Sequence, residues 1–200
     1  MTHRIAVVTA GLSEPSSTRL LADLLADATA ARLGPDTVVD VVELRPLARD
    51  LANATVTGFP AGDLAAAVEK VVTADGLVAV TPVFSASYSG LFKMFFDVLD
   101  TGALEGMPVL VAATAGTPRH SLVLDHAMRP LFGYLKAVVV PTGVFAASED
   151  WGGGGSVVGE LRDRVDRAAD QLAALVKGQP PGRRTGPAED GIDFETLLNP

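Results

Sequence analysis

The chain has 200 residues, 48% of them hydrophobic, and a formal net charge of −8. That is one domain with enough apolar content for a buried core, and its acidic balance leaves no basic stripe for nucleic acid or for an anionic membrane surface. Cysteine is absent, which removes disulfides, thiolate catalysis and zinc–sulfur sites, and the three histidines, His3, His120 and His126, are too scattered to form a metal site.

The first apolar run, residues 4–9, reads as a strand and is too short for a signal peptide. No segment approaches the ~18 apolar residues of a membrane span, so a soluble cytoplasmic protein is expected. Residues 18–33 follow with Leu20, Leu21, Leu24, Leu25 and Ala28 on one helical face. A second β-branched run at 38–44 precedes a helical pattern at 64–73. A third strand, 76–81, leads through a loop into an apolar helix at 89–99. A fourth strand at 109–114 precedes a helix at 121–135, in which Pro130 predicts a kink. A short fifth strand at 137–141 and a final helix at 157–176 complete the series. Most of these strands are apolar on both faces, as in a parallel sheet covered on both sides by helices. Strict alternation of five strands with five helices predicts a doubly wound α/β domain with right-handed crossovers.

Two stretches depart from the alternation. Trp151 is followed by four glycines, which reads as a flexible loop before the last helix. From Gly178 onward Gly, Pro and charged residues dominate, and an extended or disordered tail over 178–200 is expected. Its Ile192–Leu198 segment is apolar enough to dock on the domain or on a partner subunit.

In a doubly wound sheet the loops that leave the carboxyl ends of strands one, three and four converge on one edge, where ligands bind. All three have ligand-like composition here. The first, residues 11–19 (GLSEPSSTR), opens a helix whose unpaired N–H groups suit a phosphate. Ser13, Ser16, Ser17 and Thr18 add hydroxyls and Arg19 a charge. Neither a Walker loop nor a GxGxxG fingerprint is present, so a single phosphate monoester is the indicated ligand; an ordinary Ser/Thr helix cap is the alternative. In the second loop Pro82, Val83 and Phe84 offer a flat wall, and Ser85, Ser87 and Ser89 offer donors beside Tyr88. There the alternative makes Ser87 or Ser89 a cap. Lys93 and Asp97, at i and i+4, read as a solvated pair. The third loop, 115–120 (AGTPRH), can present the N–H groups of Gly116 and Thr117, with Arg119 and His120 placed for the phosphates of a second substrate or simply as an exposed polar turn. His126 has no neighbour in sequence that completes an acid–base pair.

The stretch 82–93 (PVFSASYSGLFK) resembles the flavin loop of the NADPH-dependent FMN reductases, 15–19 (PSSTR) their phosphate loop, and 114–118 (TAGTP) with 124–132 (LDHAMRPLF) their third loop and following helix. The resemblance covers about residues 4–176 and is most specific in the second loop. Within the family it is most similar to the reductases that supply reduced flavin to two-component, luciferase-like monooxygenases.

The resemblance implies a flavodoxin-like three-layer α/β/α sandwich with five parallel strands in the order 2-1-3-4-5, in a domain spanning residues 1–177. It also implies FMN across the carboxyl ends of the strands, NADPH or NADH as reductant, and a homodimer or homotetramer. Carried over by motif, Ser13, Ser16, Ser17, Thr18 and Arg19 hold the phosphate. Pro82, Val83, Phe84, Ser87, Tyr88 and Ser89 frame the ring and ribityl chain, with Gly116 and Thr117 at the other edge. One departure stands out: where the family commonly has Gly-Ser followed by an arginine, this chain has Leu12 and Glu14, and Glu14 is expected to face solvent. The implied reaction needs no catalytic side chain and no metal, because the cofactor carries the chemistry. A bound-flavin quinone or azo reductase, or a flavodoxin-like electron carrier that oxidises no nicotinamide, are the alternatives.

Overall fold

The β-branched runs pair in register as a parallel sheet. The computed structural model describes residues 2–152 and 159–178. In it β1 (Arg4–Thr9) lies between β2 (Val38–Glu43) and β3 (Gly76–Phe84). A two-residue strand, β4 (Ser87–Tyr88), folds back antiparallel on the end of β3, and β5 (Pro108–Thr114) continues the parallel sheet beyond it. The edge is made by β6 (Val138–Val139) and β7 (Val144–Ala146), which pair with the beginning and the end of β5. The order β2-β1-β3-β5-β6 is the flavodoxin-like 2-1-3-4-5 order that the resemblance implies, and it fixes which loops share an edge.

The sheet has seven strand segments where five were expected. One added segment is β4, half of a hairpin. The other arises because the expected strand at 137–141 breaks and resumes. Pro141 has no N–H for the ladder, and the freed groups of the break are met by side chains. Arg129 donates to the carbonyls of Val140 (2.9 Å) and Pro141 (2.6 Å), and the Gln171 amide oxygen accepts from the N–H of Thr142 (2.8 Å).

Alternation along the strands sorts the core into two layers, because successive side chains point to opposite faces. Ile5, Val7, Val78, Val80, Leu110 and Ala112 face α1 (Ser17–Leu33) and α6 (Gly159–Gly178). Ala6, Val8, Leu77, Ala79, Val109 and Val111 face α2 (Ala48–Thr57), α3 (Gly62–Val72), α4 (Gly90–Asp97) and α5 (Arg129–Tyr134). α6 sits close on the sheet: a Cβ at Gly76 would come within 2.8 Å of Val176 Cγ2.

Helix α2 was not among the expected elements. Its sequence carries β-branched Thr55, Val56 and Thr57 and has no side-chain cap, so its local signal is weak; burial of Leu51 and Ala54 holds it in place. On α1 the buried face is Thr18, Leu21, Ala22, Leu25, Ala26 and Thr29, rotated from the expected stripe, and Leu20 is exposed. The expected helix at 121–135 is a wide π-turn over Leu124–Met128 followed by α5. Pro130 explains it: lacking an N–H, it cannot complete the i→i+4 ladder, and the expected kink takes this form. Beyond Gly178, the expected tail with its 192–198 segment lies outside the described residues, as does most of the glycine loop after Trp151. No helix among the described residues is long and apolar enough to cross a membrane.

Candidate functional site

Each candidate loop leaves the sheet from its carboxyl edge, and ladder hydrogen bonds fix where it starts. The N–H of Ala10 bonds to Val80 O at 3.1 Å, that of Leu44 to Thr9 O at 3.0 Å, and that of Ala115 to Ala146 O at 3.1 Å. These place the loop at 11–19 beside the loop at 82–89, with the loop at 115–120 on the far side.

The first loop turns into α1 through Ser16, whose Oγ accepts from the N–H of Arg19 (3.2 Å), a regular N-cap. The loop is wound closely over Gly11: a Cβ there would lie 2.2 Å from Ser16 Oγ and would have to push that hydroxyl out of its capping position. Ser13 and Ser17 are exposed and Ser16 half-buried, all at the start of α1, whose first-turn N–H groups have no intrahelical acceptor. Thr18 turns inward. It is buried, and its hydroxyl meets the Thr114 hydroxyl at 2.8 Å, tying the first loop to the end of β5. Beneath this loop the Thr9 hydroxyl is buried with no hydrogen-bond partner among the described residues.

The second loop is a hairpin between β3 and β4 with Ser85 (φ 48°) and Ala86 (φ 66°) at its tip. Two successive left-handed residues match the twist of a two-residue hairpin, but neither is glycine, so the turn is strained. The strain is held from below. Ser89 is buried; it accepts from the N–H of Phe92 (3.2 Å) as the cap of α4, and its own N–H donates to Thr81 Oγ1 (3.0 Å). The Tyr88 ring rests 5.7 Å from that of Phe92, which packs on Phe96 (4.8 Å) and Phe132 (6.2 Å). The wall is therefore exposed Phe84 with half-buried Pro82, Val83, Ser87 and Tyr88, standing on an aromatic floor.

In the third loop Gly116 is exposed, with nothing within 4 Å of where a Cβ would sit, and Thr117 caps the short turn Pro118–His120. Arg119, His120 and His126 are exposed. Lys93 and Asp97 form the expected solvated pair (2.6 Å), which raises the Lys93 pKa chiefly through that hydrogen bond.

A cavity of about 400 Å³ opens beside the first loop, walled by Ser13, Glu14, Ser16, Arg19, Asp23, Glu43 and Arg45 among others. Glu14 is exposed, as expected, and its carboxylate accepts from Arg45 (2.8 Å). Arg19 donates from Nε to Asp23 Oδ1 (2.8 Å) and from Nη1 to Glu43 Oε1. Asp23 could have been found from its i+4 spacing to Arg19; Glu43 and Arg45 could not, since they reach this loop only because β2 lies next to β1.

This arrangement can cradle a phosphate at a hydroxyl-rich helix start and a flat ring against an apolar wall. A match to the NADPH-dependent FMN reductase family covers residues 3–152. The chain belongs to that family. Membership makes it an NAD(P)H:FMN oxidoreductase that uses FMN and a nicotinamide nucleotide. As an FMN reductase it is 37% identical, over 178 residues, to the FMN reductase (NADPH) of Pseudomonas aeruginosa, a match covering 88% of this chain and 94% of that one. It is 35% identical, over 172 residues, to the NADH-dependent FMN reductase SfnF of Pseudomonas putida, covering 86% and 92%. The solved structure of an oxidoreductase from Corynebacterium diphtheriae is 50% identical with a TM-score of 0.84, over 90% of this chain and 99% of that one.

Proposed function

We propose that this FMN reductase takes the flavin across the three loops, with the phosphate at Ser13, Ser16, Ser17, Thr18 and Arg19. The ring and ribityl chain lie along Pro82, Val83, Phe84, Ser87, Tyr88 and Ser89, with Gly116 and Thr117 at the opposite edge. The observation that carries this reading is the Thr18–Thr114 hydrogen bond, which joins the phosphate loop to the strand feeding the third loop and brackets the second loop between them. The donor set fits the group: hydroxyls and helix-start N–H groups for a phosphate, an apolar wall for the ring.

Held by these loops, FMN would supply the hydride-accepting ring for the nicotinamide. The chain's own residues bind and align. Ser13, Ser16 and Ser17 offer hydroxyl contacts. The backbone N–H groups at the start of α1 orient the phosphate. The hydroxyls of Thr18 and Ser89 are buried and bonded and hold the first and second loops, so these two residues meet the flavin through their backbone and not, as expected, through their side chains. The small side chains of Ser85, Ala86 and Ser87 leave one face of the wall open to the nicotinamide. Tyr88, braced on Phe92, keeps the wall at a fixed height.

The reduced flavin is a diffusible product supplied to a partner monooxygenase, a reading that rests on the resemblance of the 82–93 stretch to the reductases of two-component systems. The active form is a homodimer or homotetramer in the cytoplasm, built from the domain at 1–177. The test is NADPH and NADH oxidation by purified protein with and without added FMN. Saturable dependence on free FMN is expected. Activity independent of added FMN and appearing only with a quinone would overturn the diffusible-product reading, and FMN binding without nicotinamide oxidation would overturn the reductase role.

A further inference from the structure

Arg19 is the only cation in the first loop, residues 11–19, yet it does not stand free for an anion. Its Nε is spent on Asp23 and its Nη1 on Glu43. The other nearby guanidinium, Arg45, is bonded to Glu14. The cavity wall thus carries three carboxylates against two guanidinium groups, one negative charge in excess. Asp23 sits one turn further along α1. Glu43 ends β2, held beside β1 by the Leu44–Thr9 ladder bond. Both carboxylates are therefore positioned by the sheet and helix, not by the loop. An arginine fork whose donors already face two carboxylates has less to offer a phosphate, and a dianion arriving there meets a field that opposes it.

We propose that Asp23 and Glu43 compete with the flavin phosphate for Arg19 and so hold FMN affinity down, making the flavin a dissociable substrate and product rather than a fixed prosthetic group. This rests on the phosphate placement proposed above. Arg19 is then an exchangeable clamp: it swings toward the phosphate at the cost of its carboxylate contacts and returns to them when reduced flavin leaves.

The experiment is flavin binding, by fluorescence quenching, to full-length wild type, Glu43→Gln and Asp23→Asn/Glu43→Gln, with FMN and riboflavin as paired probes. Both carboxylates are about half-exposed, so the amides preserve the fold. The expected result is FMN binding roughly three- to tenfold tighter in the double variant, riboflavin binding unchanged, and a gain that shrinks in about 0.5 M salt. Adding Arg19→Gln to the double variant erases the gain. Unchanged or weaker FMN binding, an equal gain for riboflavin, or a gain that survives Arg19→Gln would each overturn the clamp. The two readings fail differently. If FMN and riboflavin bind equally tightly in wild type and in both variants, the phosphate placement itself is wrong; a preference for FMN that the variants leave unchanged overturns the clamp alone.

Discussion

Replacing Thr18 by valine removes one hydroxyl of a buried pair and keeps the shape of the side chain. Thr18 and Thr114 are each at most 3% exposed, and their hydroxyl oxygens lie 2.8 Å apart. With valine at 18, the Thr114 hydroxyl is left buried without that partner, a penalty of about 1–3 kcal/mol. Thr114→Val imposes the same penalty on Thr18. The double variant buries two methyl groups against each other and leaves no orphaned donor, so its cost falls to about 1 kcal/mol or less. The cycle therefore shows a coupling of at least about 1 kcal/mol between residues 96 positions apart in sequence. In a domain of this size each single variant melts about 2–12 °C lower. Urea unfolding of the four proteins, read by far-UV circular dichroism, measures the cycle. Two singles whose costs add in the double, or singles with no cost at all, would refute the claim that this bond ties the phosphate loop to β5.

Other consequences follow from the same geometry. Phe96→Ala opens a hole among Phe92, Phe95 and Phe132 beneath the hairpin and costs about 3–5 kcal/mol in urea unfolding. Ala86→Gly relieves a left-handed residue at φ 66° and stabilises the protein by up to about 1 kcal/mol, read as a raised melting temperature. Arg32→Met removes bonds from α1 to Asp166 and Asp170 of α6. Because these carboxylates are largely exposed, the loss is about 1 kcal/mol or less and is smaller in high salt. The Lys93 pKa is raised by its hydrogen bond to Asp97, so whatever that pair contributes is fully present below the ordinary value of 10.5 and fades as pH rises through the higher folded value. Wild type and Lys93→Met therefore keep a constant, small stability difference through neutral pH and converge in strong alkali; a difference that varies between about pH 6 and 9 would contradict this.

The sequence by itself determined the alternation of strands and helices, because apolar runs bounded by turn residues need no partner to be read. It also determined which loops carry hydroxyls, and the family, through the stretch from Pro82 to Lys93. Tertiary structure decided what those hydroxyls do. Thr18 and Ser13 look alike in a loop, yet one is buried against Thr114 and the other exposed, because only the packing of α1 on the sheet sets which way each points. Ser89 is a cap and a brace for the hairpin, since Thr81 lies opposite it across the β3–β4 turn. The split of the edge strand at Pro141 depends on Arg129 and Gln171 arriving from two different helices. Above all, the charge around Arg19 was not legible: Asp23 was in reach of helical spacing, but Glu43 and Arg45 join the loop only where β2 pairs with β1, a contact between segments far apart in the chain.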